Sequence, residues 1–140
     1  MRIKSKLSAI LLTSAVLVGT VAGPAFAAAE GTFTSSTTQV QPGFGSRTWV
    51  DKNLTNQSTT VKLTNCKVNV GGGAPGSTPL TSVGVALIKN GAIVGNISQA
   101  CGTYSFGDVP AGTYYFKISD INGTGVGGRI FLNSTVVVTY

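Results

Sequence analysis

The dipeptide Asn90-Gly91 constrains this chain more than any other feature. An Asn-Gly step accepts positive φ at both central positions of a type I′ turn, whose twist matches that of two antiparallel strands. It is flanked by the β-branched runs Thr81 to Lys89 and Ala92 to Ile97. The combination predicts a tight β-hairpin. The only two cysteines, Cys66 and Cys101, bracket that hairpin. A bond between them would close a loop around it, worth roughly 4 kcal/mol in a chain-entropy treatment.

Whether that bond forms depends on the compartment, and the N-terminus bears on this. Arg2, Lys4 and Lys6 precede the apolar stretch Leu7 to Val21 and then Ala25-Phe26-Ala27. A basic start, a short apolar core and a small-x-small site make up a Sec-type signal peptide, here of bacterial pattern, with cleavage expected after Ala27. Residues 1–27 are thus expected to be a signal and residues 28–140 a single secreted domain. An exported chain meets oxidising conditions, where two cysteines pair. No later segment is apolar over a spanning length, so no membrane insertion of the mature chain is expected.

The signal also accounts for much of the net charge of +6. Beyond it stand Arg47, Lys52, Lys62, Lys67, Lys89, Lys117 and Arg129 against Glu30, Asp51, Asp108 and Asp120. The balance is about +3, scattered along the chain, without the basic stripe a nucleic-acid partner requires.

The rest of residues 28–140 reads as short strands separated by turn chemistry. Strands are expected over 32–40, 46–51, 58–70, 102–106, 113–119 and 129–139, besides the hairpin pair. Within 58–70, Val61 and Leu63 have one parity while Cys66, Val68 and Val70 have the other. A strand with one buried face cannot switch parity, so either a bulge near Thr64-Asn65 re-aims the chain or two strands meet at a bend. Tyr114, Phe116 and Ile118 alternate with Tyr115 and Lys117, the period of a half-buried strand. Seven to eight such strands predict an all-β, single-domain antiparallel β-sandwich, loosely immunoglobulin-like, stapled by one disulfide.

Several chemistries are excluded by residue counts. The chain has no histidine, so Ser-His-Asp and Cys-His arrangements are unavailable, and no catalytic residue is assigned. Two thiolates alone cannot complete a zinc shell. Gly123 to Gly128 matches G-x-G-x-x-G in letters, but a strand follows where a dinucleotide site needs a helix. Asp120-x-Asn122-x-Thr124-Gly125 reproduces the first half of a calcium loop, and it is a weak metal candidate because Phe131 stands where the bidentate Glu belongs. No cofactor is expected.

Exposed aromatics on a β-sandwich can stack on sugar rings. Trp49, Tyr104 and Tyr115 are therefore the candidate ligand platform, testable by whether Trp49 and Tyr115 share one exposed face. The expected function is a small secreted non-enzymatic binding module for an extracellular ligand, polysaccharide being the leading class. Two other readings stay open. Neutral Thr/Val strands with free edges suit a structural or assembly protein of the cell surface or matrix. A stapled scaffold presenting Gly-rich loops suits a secreted inhibitor or toxin-like protein.

Overall fold

The computed structural model describes residues 28–140; the expected signal, 1–27, lies outside them. Eight strands form: β1 (Thr32–Val40), β2 (Trp49–Asp51), β3 (Thr60–Val70), β4 (Val83–Lys89), β5 (Ala92–Gln99), β6 (Thr103–Ser105), β7 (Gly112–Ile121) and β8 (Ile130–Thr139). They build two four-stranded antiparallel sheets ordered β1-β8-β3-β6 and β2-β7-β4-β5. The predicted β-sandwich is therefore the fold. Among the described residues no helix is long and apolar enough to cross a membrane.

The strand order departs from the immunoglobulin-like expectation. In that fold the first strand pairs with the second, and the sheets hold four and three strands. Here the first strand pairs with the last, the second with the seventh, the third with the sixth, and the fourth with the fifth. That nesting is one long hairpin rolled into two sheets, the jelly-roll plan of eight strands and two Greek keys. Its tip is the Asn90-Gly91 turn, with φ 51° and 79°. Among the described residues, β4–β5 is the only connection between consecutive strands that stays within a sheet.

Side-chain alternation explains which faces meet. Val61, Leu63 and Val68 of β3, Val83, Val85 and Leu87 of β4, Phe116 and Ile118 of β7, and Leu132, Val136 and Val138 of β8 form the inter-sheet core. The parity switch in β3 resolves as the bulge, within one continuous strand. Its register against β8 shifts between Thr64 and Lys67, and Asn65 takes φ 54°. Val68 accordingly returns to the core, but Val70 does not; it is 53% exposed at the strand end, while Asn69 is buried. A second irregularity, in β1 between Thr37 and Val40, lies on the other side of the same part of β8. Between them Ser134 points inward and shares a 2.8 Å hydroxyl contact with Thr37, which satisfies a polar pair inside the core.

Cys66 and Cys101 are bonded, with Cα atoms 6.1 Å apart. The bond joins β3 of one sheet to the link leaving β5 of the other. Both cysteines are half-buried and pack against the core. Beside them, buried Tyr104 completes the junction. Its hydroxyl lies 3.1 Å from the Val83 carbonyl and 3.4 Å from those of Gln99 and Ala100, so one proton serves three acceptors. Burial, with the nearby Asp120 charge, pushes this phenol up to about 12.

Replacing both cysteines by Ala should lower stability by about 2–4 kcal/mol without changing the fold, because the loss falls mainly on the unfolded chain. Thermal unfolding of the double variant beside the parent checks this. A near-zero change would show that the bond does not restrict the unfolded chain as that account requires.

Candidate functional site

The three aromatic candidates do not form a platform. Trp49 is 5% exposed. It pairs in register with Tyr114, on the inner face, and its ring lies 5.8 Å from Phe33, 6.3 Å from Tyr114 and 6.0 Å from Tyr140. Tyr104 is fully buried in its junction role. Tyr115 alone faces outward, half-exposed, with its ring edge against Gly45. Trp49 and Tyr115 thus lie on opposite faces of their sheet. The physical reason is that a small sandwich needs large apolar side chains to close its ends, and the aromatic cluster does so beside Phe33.

The calcium half-motif is likewise committed elsewhere. Asn122 and Gly123 form the tip of a second tight turn, closed by reciprocal bonds between Ile121 and Thr124. The Asn122 Oδ1 accepts from the Thr81 amide at 2.7 Å, the Thr81 hydroxyl at 3.0 Å and the Ser82 amide at 3.3 Å. Its Nδ2 donates to the Pro79 carbonyl at 2.8 Å. An amide oxygen with three donors has no lone pair left for a cation. Asp120 turns the other way, over Gly84 on the outer face, where it accepts from Ser98 and Ser119. The two side chains therefore do not converge on a common point. Asn122 is instead the clasp that holds the Gly71-to-Pro79 connection onto the sandwich.

The other three carboxylates have structural partners too. Buried Asp51 accepts from the Asn53 amide at 2.8 Å and the Thr59 hydroxyl at 3.1 Å. The Asn53 side chain, with Nδ2 facing the acceptor, donates to Asp108 at 2.9 Å. This ties the β2–β3 loop to the β6–β7 turn. Glu30 reaches across to the amides of Lys52 and Leu54. Desolvation pushes its carboxyl up, but the amides of Leu54, Lys52 and Thr55, with the Lys52 charge, hold it below the ordinary Glu value. Among the described residues no three or more Cys, Asp or Glu side chains gather as a metal-binding group.

The concavity best built for a ligand lies on the side of the sandwich where β5 and β6 form the sheet edges. It is a groove of about 400 Å³ lined by Leu87, Lys89, Val94, Phe106, Asp108, Val109, Pro110 and Tyr114. Its position follows from local sequence. Gly95 lacks a side chain, and Phe106 lies over it, since a Cβ there would come within 2.7 Å of the ring. Phe106 is thus one wall, and Val94, the residue where the β4–β5 register slips, is another. Pro110 sits in the turn that follows, and the Tyr114 hydroxyl donates to its carbonyl.

Two opposite charges are fixed at this groove. Lys89 donates to the Ala111 carbonyl at 2.8 Å with its ammonium 5.5 Å from the Tyr114 ring centroid, and Asp108 is held by Asn53. Apolar walls with a donor and an acceptor held in place suit an amphipathic ligand. Two other concavities are less organised for this. One of about 410 Å³ lies between the N-terminal Ala28 to Glu30, the loop after β2 and Tyr140; a cleft of about 100 Å³ lies between Phe33, Arg47 and Phe116. Sequence reasoning passed over the groove because its residues come from four separate segments. The available signal was Gly95 inside a strand, which marks close approach of another group.

No protein-family model matches the chain, and no curated protein matches it either.

Substituting Asn122 by Ala should destabilise the domain by about 1–3 kcal/mol, since two backbone amides and a carbonyl lose their partner at once. Millimolar calcium should leave the melting temperature of the parent unchanged. A calcium-dependent rise that Asn122→Ala abolishes would restore the cation site.

Proposed function

We propose that this protein is an exported, non-enzymatic binding module that holds an extracellular saccharide in the groove between β5 and the β6–β7 turn. The groove itself carries the reading: Phe106 and Pro110 offer flat apolar surfaces for the C–H face of a sugar, while Asp108 and Lys89 supply an acceptor and a donor for its hydroxyls. Its volume of about 400 Å³ falls within the range for small-ligand sites. Export is supported by the basic-apolar-small pattern of residues 2–27 and by the disulfide, which needs an oxidising compartment. The non-catalytic part of the reading rests on the missing histidine and on the structural bonds already made by all four carboxylates.

Titration of the domain with a panel of oligosaccharides, followed by amide chemical shifts, is the direct test. Perturbations should centre on residues 87–95 and 106–114. Phe106→Ala and Asp108→Asn should each weaken binding by about tenfold or more, the weight of a single stacking or charged hydrogen-bond contact. A panel without a binder, or shifts centred on Tyr115, would overturn the assignment.

A second reading, assembly into a larger surface structure, is favoured by one observation. β5 is an edge strand without charge or proline, and Ile93 on it is 65% exposed. If the edge is used this way, light scattering across a dilution series will show concentration-dependent association that Ile93→Lys removes. A monomer at every concentration rejects assembly and leaves the saccharide reading untouched.

A further inference from the structure

The chain holds two Asn-Gly turns with nearly the same backbone and opposite side-chain environments. Asn90-Gly91 has φ values of 51° and 79°; Asn122-Gly123 has 51° and 74°. Each is the two-residue tip of a tight antiparallel turn. Asn122, as described, is held from both ends of its amide: three donors on Oδ1 and one acceptor on Nδ2. Asn90 is exposed, and among the described residues its side chain has no hydrogen-bond partner.

We propose that Asn90 is a site of self-modification by deamidation, and that Asn122 is protected from the same reaction by its clasp. In this reaction the Gly91 backbone nitrogen attacks the Asn90 Cγ. A new N–C bond forms, the Cγ–Nδ2 bond breaks, and nitrogen leaves as ammonia, taking up the amide proton through solvent. Water then opens the five-membered imide at either carbonyl, giving Asp or the β-linked isomer at position 90. Water is the only co-reactant and no electrons are transferred. Glycine at the following position matters because no Cβ screens its nitrogen from the incoming carbon.

Attack requires the side-chain amide to rotate until Cγ lies over the next nitrogen. At Asn90 no side-chain hydrogen bond among the described residues opposes that rotation, and the asparagine backbone φ is the same at both turns. At Asn122 it breaks the bonds that hold Pro79, Thr81 and Ser82, so reaction there must wait for the connection to lift away. The product at position 90 carries a new negative charge directly beside Lys89, one of the two charges at the groove. The β-linked isomer also lengthens the backbone at the tip of the innermost hairpin. Aged and fresh protein therefore differ at the point about which the strands are nested.

The test follows both turns in one sample. The folded protein is held at mildly alkaline pH, digested under acid conditions, and the peptides carrying each turn are assayed by mass against a time-zero control. A parallel sample in denaturant gives the unprotected rates. In the folded protein Asn90 should convert about tenfold or more faster than Asn122, since each net hydrogen bond to be broken counts for up to that factor. In denaturant the two rates should approach each other. Asn122→Asp is not a substitute for this comparison, because it destroys the clasp. Equal rates in the folded state overturn the proposal, as does an Asn90 that stays intact while the unfolded chain converts.

Discussion

The pairing of β4 with β5 is the constraint on which the remaining strand partners depend. The two strands are joined by the Asn90-Gly91 turn and sit in adjacent register from Val83↔Gln99 to Lys89↔Ala92. Because the partners nest, each outer pair must span the inner ones: β3 with β6, then β2 with β7, then β1 with β8. The loop-closure entropy of each outer pair is reduced once the pair inside it has formed. A tight turn at the centre thus has more influence than its two residues suggest. The disulfide acts at the next level out, since Cys66 and Cys101 lie just beyond the hairpin and join the two sheets.

Much of this architecture is legible in the sequence. The Asn-Gly step, the parity switch before Cys66 and the alternation through Tyr114 to Ile118 each follow from a local rule, and the structure has each feature. Strand order is different in kind. Whether Thr32 to Val40 pairs with its neighbour in sequence or with the C-terminal strand depends on contacts about a hundred residues apart, which no local pattern encodes. Val70 pairs in register with buried Ile130, yet it ends the strand and is 53% exposed. Parity tells which way a residue points, but burial also needs the facing sheet to reach that far along the strand.

The candidate site was less legible because the sequence signals for function and for packing coincide. Trp49 and Tyr104 carry the features of ligand-stacking residues, yet Trp49 closes the end of the core with Phe33, Tyr114 and Tyr140, while Tyr104 bonds the sheets near the disulfide. Asp120 and Asn122 have calcium-loop spacing, yet one accepts from serines on the outer face and the other pins a loop. In each case the same polar or aromatic group that could meet a ligand meets the protein first. The groove residues show the reverse. Phe106 and Asp108 attract no notice in a turn sequence, and only the approach of Phe106 to Gly95 makes them walls.

This division of labour bears on how the protein tolerates change. Polar side chains that elsewhere would be free are used here to hold long connections: Asn122 for 79–82, Asn53 for the β6–β7 turn, and Glu30 for the loop after β2. Such clasps order loops without burying much apolar surface, which a domain of this size has little of to spare. They also leave the outward side chains at the start of β5 as positions where variation is little coupled to the core. That edge strand is exposed from Ala92 to Val94, and the groove beside it is bounded by one glycine and one turn. A binding surface can change there by altering exposed Val94, whereas Phe106 packs against the core and Asp108 is tied to Asn53. The same exposure leaves Asn90 unprotected at the tip, so the freedom to vary and the susceptibility to chemical ageing have one structural origin.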